Sequence, residues 1–324
     1  MIITIQPTAD PKKVKRTLVE LGVWADEHVA DGRVVLTTSA HSTNIDAKVI
    51  ESIEGVASVA TKKSPHPLLD AQPRTIEIGA HKIGVDAPRT VIAGPCSVES
   101  EDSVRRIAGQ LAPLGVSFLR GGAFKPRTSP YAFRGHGDEA LRWLARAAHD
   151  HGMGLITELM SEYKRDEVAE FADLIQIGSR NMHNYALLEH AAGAKKPIFL
   201  KRGMSATVEE WLSSAEYCLM HGAPAVVFCE RGIRSFDPST RNLVDLGAVA
   251  LVSHVYGQPV IVDPSHGTGR KDLVEPLARA ALAAGAHGVM VEAHDRPSDA
   301  LSDGPQAVSI DTIAAIAAYA KDAP

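Results

Sequence analysis

The sequence predicts an α/β fold: a (β/α)8 TIM barrel preceded by a small ferredoxin-like βαββαβ domain. Two patterns predict it. From Arg89 onward, eight short and almost wholly apolar runs alternate with amphipathic stretches. Near-continuous apolar strands joined by helical crossovers form a parallel sheet buried on both faces. Eight such units in roughly 235 residues match the number and size of a barrel, with a doubly wound open sheet as the weaker alternative. Ahead of them, about 60 residues follow the order strand, helix, strand pair, helix, strand, which is the split βαβ unit.

In the first segment "IITIQP" is the opening strand and "DPKKVKRTLVELG" the first helix, with Asp10 and Pro11 as its start and Gly22 where it stops. "WADEHVADG" and "RVVLTTS" form a strand pair, "NIDAKVIESIEG" the second helix ending at Gly55, and "VASVATK" the last strand. "KKSPHPLLDAQPR" is rich in proline and polar residues and reads as a linker. "RTIEIGAHKIGVD" reads as a hairpin turning at Gly79 and Ala80, placed to plug a barrel. The barrel strands are "TVIAG", "VSFLR", "GLITE", "LIQIG", "PIFLK", "AVVFCE", "PVIVD" and "GVMVE". Thr207 and Glu210 stand at capping-box spacing and fix the start of one crossover helix. The domains expected are 1–70, ferredoxin-like; 71–88, linker and barrel-capping hairpin; and 89–324, the barrel.

At 324 residues, 45% hydrophobic and 23% charged, the chain is long and apolar enough for one large core and a small one. A formal net charge of -5 argues against bulk binding to nucleic acid, so a cluster of cations needs a local reason. No run reaches the roughly 18 to 20 apolar residues of a membrane span. Cys96, Cys218 and Cys229 form no paired framework, and the N-terminus lacks the basic-then-apolar order of a secretory leader. A reducing cytoplasm is the expected location.

In a TIM barrel the chemistry sits at the C-terminal ends of the strands. Those ends carry Cys96; Arg120 with Lys125 and Arg127; Glu158; Arg180; Lys201; Arg231; Asp263 with His266; and Glu292. Six cations converge there in an acidic chain. Their repulsion is relieved only by carboxylates or an anionic ligand among them, and a mixture of arginine and lysine suits phosphate together with carboxylate. Cys96, His266, Glu292 and Asp303 offer one soft, one imidazole and two carboxylate donors, a set for a borderline divalent ion. Cys218 and Cys229 fall inside a helix and a strand and read as core thiols. Asp263 and Glu158 are placed to orient a neighbouring lysine or a metal-bound group.

The motifs "GPCS", "LRGGAFKPRTSPYAFRG", "IQIGSRNM", "LKRGM", "CERGIR", "DPSHGTGR", "GVMVEAH" and "ALSDGPQ" occur in the order in which they stand in 3-deoxy-D-arabino-heptulosonate 7-phosphate (DAHP) synthases. Over about residues 76 to 315 the chain resembles that family, in the subgroup with an N-terminal ferredoxin-like domain. The resemblance implies a metal-dependent condensation of phosphoenolpyruvate with erythrose 4-phosphate, the first step of the shikimate pathway. It implies Cys96, His266, Glu292 and Asp303 as ligands of one divalent ion per subunit, manganese first, with iron, cobalt and zinc as alternatives. It implies Arg120 and Lys125 at the phosphoenolpyruvate carboxylate, Lys201 between carboxylate and phosphate, and Ser179, Arg180 and Arg231 at the phosphate. Arg127 and Thr128 then hold the sugar phosphate, and Lys125, Cys96, His266 and Asp263 form the catalytic set.

The nearest rival is 3-deoxy-D-manno-octulosonate 8-phosphate synthase, which uses arabinose 5-phosphate. "KPRTS" favours the four-carbon sugar over the rival's longer "KANRTS"-like loop. A Schiff-base aldolase using Lys201 and a ligand sensor without catalysis are the other classes considered. "HGTGR" resembles a barrel phosphate cradle, but the cations cluster on strands two to six and its histidine is wanted by the metal. For the N-terminal domain the resemblance implies feedback by tyrosine or phenylalanine bound between subunits of a homo-oligomer, a tetramer.

Overall fold

The chain divides into two units, Met1–Pro65 and His66–Pro324. The computed structural model describes every residue except 31, 40–41, 62, 125–130, 132–134, 298–303 and 324.

In the first unit β1 (Ile2–Ile5) is followed by α1 (Pro11–Glu20), β2 (Ala25–Ala30), β3 (Arg33–Thr38), α2 (Ala47–Glu51) and β4 (Val56–Ala60). The sheet order β2-β3-β1-β4 is that of a ferredoxin-like split unit. Both helices start on an aspartate: Asp10 Oδ1 accepts from Lys12 N and Asp46 Oδ1 from Lys48 N, each at 2.9 Å. Alternation along β1 turns Ile3 and Ile5 inward against Val14, Leu18, Leu36 and Ile50, while Ile2 stays half exposed.

The second unit opens on α3 (Pro67–Ala71) and the hairpin β5 (Thr75–Ile78) and β6 (His81–Gly84). The stretch read as a linker is therefore partly ordered on the barrel. Leu68 N and Leu69 N donate to the carboxylate of Glu216 at 3.0 and 2.8 Å. Gln72 bonds both backbone groups of Val226 at 2.7 and 3.0 Å. Prolines mark where a helix begins as readily as where a loop runs, and only the barrel shows what they dock against.

The barrel closes through β7 (Thr90–Gly94), β8 (Phe118–Arg120), β9 (Gly154–Glu158), β10 (Leu174–Ile177), β11 (Ile198–Lys201), β12 (Val226–Glu230), β13 (Val260–Val262) and β14 (Gly288–Glu292), with β14 pairing back on β7. All pairings are parallel. Around it run α4 (Glu101–Leu111), α5 (Asp138–His149), α6 (Arg165–Phe171), α7 (Tyr185–Gly193), α8 (Val208–Met220), α9 (Leu246–Ala250), α10 (Pro264–Thr268), α11 (Val274–Ala283) and α12 (Ile310–Asp322). Each strand alternates its faces. Ile92, Phe118, Ile156, Phe199, Val227 and Met290 fill the interior, where Ile76, Ile78 and Ile83 of the hairpin join them as a plug. The outward set packs under the helices. Thr207 and Glu210 close the expected box, with Glu210 N to Thr207 Oγ1 at 3.2 Å and Thr207 N to Glu210 Oε2 at 2.8 Å. At the C-terminal end of β7, a Cβ on Gly94 would collide with the Arg120 carbonyl oxygen, so glycine lets the first two barrel strands meet closely.

One core group makes stability depend on pH. His287 is buried and its Nδ1 accepts the Val260 N–H at 3.1 Å. Burial, with the nearby Arg89 charge, pushes its pKa down to about 4. Between that value and the ordinary histidine value near 6.5 the unfolded chain holds a proton that the folded chain does not. Stability therefore falls as pH drops through this window, by about 3 kcal/mol at most. Urea midpoints at pH 7 and pH 5 should show the loss, and His287→Gln should flatten it; an unchanged slope in that variant would assign the loss to other groups.

Candidate active site

Cys96 lies two residues past β7 and is buried. Arg120, the last residue of β8, is 5% exposed; its Nη1 donates to the Pro95 carbonyl at 2.9 Å and to Glu292 Oε1 at 3.2 Å. Burial opposes the Arg120 charge, but Glu292, Cys96, Asp263 and Glu158 around it hold its pKa above the ordinary arginine value. Glu158, at the end of β9, accepts from Gln176 Nε2 at 3.2 Å. A side chain on Gly178 would occupy the position of that carboxylate.

Lys201 ends β11, and its ammonium donates to Asp263 Oδ2 at 2.5 Å. Asp263 follows β13 and caps α10, its Oδ1 accepting from His266 N at 3.0 Å while Oδ2 meets His266 Nδ1 at 2.7 Å. Full burial alone would raise this carboxyl's pKa, yet His266 and Lys201 hold it well below the usual range. An ionised Asp263 can only accept, so the ring proton belongs on Nδ1 and Nε2 is left as a lone-pair donor. That nitrogen lies 3.1 Å from Glu292 Oε1. Glu292 ends β14 and is 1% exposed; its other oxygen, Oε2, accepts from Gln306 Nε2.

Ligand atoms of Cys96, His266 and Glu292 fall within 4.8 Å of one another. Asp263 fixes the far side of the imidazole and Gln306 the far oxygen of the carboxylate, so His266 Nε2 and Glu292 Oε1, the latter also accepting from Arg120, lie together near the sulfur. A soft, an imidazole and a carboxylate donor steadied from behind are what a borderline divalent ion requires, and the trio fits one.

Beside the trio lies a cavity of about 560 Å³. Cys96, Arg120, Glu158, Arg180, Lys201, Arg231 and His266, expected from strand ends alone, all border it, as does Ser179, which the family resemblance implied. Glu292 and Asp263 are bonded directly to those bordering groups. Arg231 is 8% exposed, and burial pushes its pKa down, with Arg241 and Arg180 adding to the effect and Asp263 opposing it. Arg231 Nη1, Arg120 Nε and Ser179 Oγ are buried with no hydrogen-bond partner among the described residues. Unpartnered buried donors on three residues that border one cavity suit an anion site. Lys125, Arg127, Thr128 and Asp303 lie outside the described residues. Reading strand ends missed Gln306, although it closes the quoted "ALSDGPQ" motif, and Arg241, which sits deep in a long loop.

The model of the DAHP synthetase I family matches residues 60–323. A phospho-2-dehydro-3-deoxyheptonate aldolase of Thermotoga maritima is 42% identical over 318 residues, covering 96% of this chain and 94% of the relative. The crystal structure of the Thermotoga maritima phospho-2-dehydro-3-deoxyheptonate aldolase, also titled a DAHP synthase, superimposes with a TM-score of 0.77 at 40% identity, over 99% of this chain and 96% of the other. A 2-dehydro-3-deoxyphosphooctonate aldolase of Acidithiobacillus ferrooxidans is 33% identical, over 69% of this chain and 85% of its own. Matched along nearly its whole length by the first relative and over two thirds by the second, this chain belongs to the DAHP synthetase I family.

Proposed function

We propose that the barrel mouth is that of a DAHP synthase, condensing phosphoenolpyruvate with erythrose 4-phosphate and water to give DAHP and inorganic phosphate. One observation carries the reading: a Cys96–His266–Glu292 donor trio opens onto a cavity bordered by Arg120, Arg180, Lys201 and Arg231. Arg180, Arg231 and Ser179 hold the enol phosphate, Arg120 and Lys125 its carboxylate, and Lys201 bridges the two. Arg127 and Thr128 take the phosphate of the sugar. A divalent ion held by Cys96, His266, Glu292 and Asp303, manganese first among the candidates, supplies Lewis acidity toward the aldehyde carbonyl. Carbon 3 of the enol attacks the aldehyde carbon, and Lys125 delivers the proton to the oxygen that becomes a hydroxyl. Water adds at carbon 2, and the hemiketal collapses with cleavage of the C–O bond. The departing phosphate gains charge facing Arg180 and Arg231, which are in place before the reaction begins. A Schiff base at Lys201 is disfavoured, since an ammonium paired with a buried carboxylate is not the free amine such chemistry uses.

Substrate choice tests the reading. Turnover with erythrose 4-phosphate should exceed that with arabinose 5-phosphate by about 100-fold in kcat/KM. A preference for the five-carbon sugar would move the chain to the octulosonate branch of the same family.

The first unit bears none of the residues just named, and it is read as a feedback device for tyrosine or phenylalanine in a homotetramer of the reducing cytoplasm. Among the described residues no helix is long and apolar enough to cross a membrane. Because α3 docks on the barrel, the cut that tests the device falls after Pro65. Removal of residues 1–65 should preserve turnover and abolish a 5- to 150-fold inhibition, the span of about 1 to 3 kcal/mol of coupling. Inhibition that survives the cut would place the effector site on the barrel.

A further inference from the structure

The loop between β12 and α9 leaves the strand at Arg231 and returns to the cavity at Arg241. It is long, but it is tied at both ends. Lys201 pairs with Cys229 across β11 and β12, and Cys229 faces the barrel interior. Strand alternation therefore turns the next residues, Arg202 and Glu230, outward together. Arg202 Nη1 donates to Glu230 Oε2 at 3.0 Å and to Asp245 Oδ2 at 2.9 Å, and its Nε to the Ala206 carbonyl at 3.1 Å. Glu230 Oε1 accepts the Gly232 N–H at 2.6 Å, and Asp245 Oδ1 caps α9 at Ala248 N, 2.9 Å away. One buried guanidinium thus braces the first and last turns of the loop.

Between these ends the loop is laid along α10. Arg241 N donates to the Thr268 carbonyl and Asn242 N to the Gly267 carbonyl, both at 2.9 Å. Ile233 and Leu243 exchange both backbone bonds at 2.9 Å. A side chain on such a loop reaches the cavity at small entropic cost, because its backbone is already fixed. Arg241, Arg180 and Arg231 border the same cavity, and each of the other two disfavours the Arg231 charge. Three guanidiniums bordering one cavity, with Ser179 Oγ and Arg231 Nη1 buried and without a hydrogen-bond partner among the described residues, call for a multiply charged anion.

We infer that Arg241 is a further phosphate-binding residue, joining Arg180, Arg231 and Ser179 in a subsite for a phosphate dianion. The subsite takes the enol phosphate before reaction and the inorganic phosphate that it becomes, and this naming of its occupants rests on the proposed DAHP synthase reading. Arg241 and Arg180 are the exposed members of the trio, and Arg231 is the buried one.

The test uses the full-length protein, Arg241→Ala and Arg241→Lys, with inorganic phosphate as the calorimetric probe and with KM for each substrate. A charge-assisted bond is worth roughly 1.5 to 3 kcal/mol, so Arg241→Ala should weaken phosphate binding at least about 10-fold. KM for phosphoenolpyruvate should rise in parallel, Arg241→Lys should recover part of both, and KM for the sugar should stay within about 2-fold. Melting temperature should not move, because the side chain is exposed. Unchanged phosphate affinity in Arg241→Ala, no phosphate binding by the wild type, or a rise confined to the sugar's KM would each overturn the assignment. If the wild type does not turn over these two substrates and Arg241→Ala still weakens phosphate binding, the reaction has been misread and the subsite stands.

Discussion

Cys96→Ala should lose about 1,000-fold in turnover, because Lewis acidity at a reacting carbonyl is worth several kcal/mol and each 1.36 kcal/mol is tenfold in rate. The thiol lies with His266 and Glu292 at a buried point where Asp263 and Gln306 have already fixed the other two donors. Removing its sulfur leaves two held ligands in place of three among the described residues. Elemental analysis after dialysis should find the variant stripped of metal under conditions in which the wild type retains it. Inorganic phosphate binding, which depends on Arg180, Arg231 and Arg241, should survive. Chelation of the wild type should reproduce the loss, and added Mn²⁺ should reverse it. Cys218→Ala serves as the contrast: it is buried in α8, and burial pushes that thiol's pKa up to about 12, so it is not a thiolate. Full turnover by Cys96→Ala with metal still bound would remove the sulfur from the site.

Asp263→Asn should be nearly as damaging, for a different reason. One carboxylate, fully buried, receives the Lys201 ammonium, holds His266 Nδ1 and caps α10. An amide keeps one acceptor and aims an NH2 group at a donor. Loss of the partner that orients a metal-ligating histidine typically costs 10- to 100-fold in metal affinity. Lys201 is meanwhile left as an uncompensated buried charge, a change that destabilises by roughly 3 to 5 kcal/mol. The two effects separate experimentally. Metal affinity follows His266, whereas KM for phosphoenolpyruvate and the urea midpoint follow Lys201. If metal affinity and KM both match the wild type, Asp263 is a capping residue and nothing more.

The barrel was legible because each of its strands is buried on both faces, so each appears as an apolar run such as "GVMVE" whose period needs no partner to interpret. Its strand ends were legible for the same reason: once β11 and β12 are placed, Lys201 and Arg231 must stand at the mouth. Arg202 and Glu230 sit beside them in the same motifs, yet their role depends on facing outward and meeting Asp245, which is a matter of register and loop path. Arg241 lies ten residues beyond Arg231, and only the folded loop brings it back to the cavity. Gln306 follows the last barrel strand by fourteen residues and acts through a carboxylate that composition cannot pair with it. The docking of α3 was hidden because its partners, Glu216 and Val226, are about 150 residues away along the chain.

The most direct test is a crystal of the full-length protein grown with Mn²⁺ and phosphoenolpyruvate, with the metal located by anomalous scattering. The expected result is one manganese peak in contact with Cys96 Sγ, His266 Nε2 and the Glu292 carboxylate, with the enol phosphate between Arg180 and Arg231 and its carboxylate on Arg120. A manganese site away from the trio, or phosphoenolpyruvate bound with its phosphate at Arg120, would contradict the assignment of this barrel mouth.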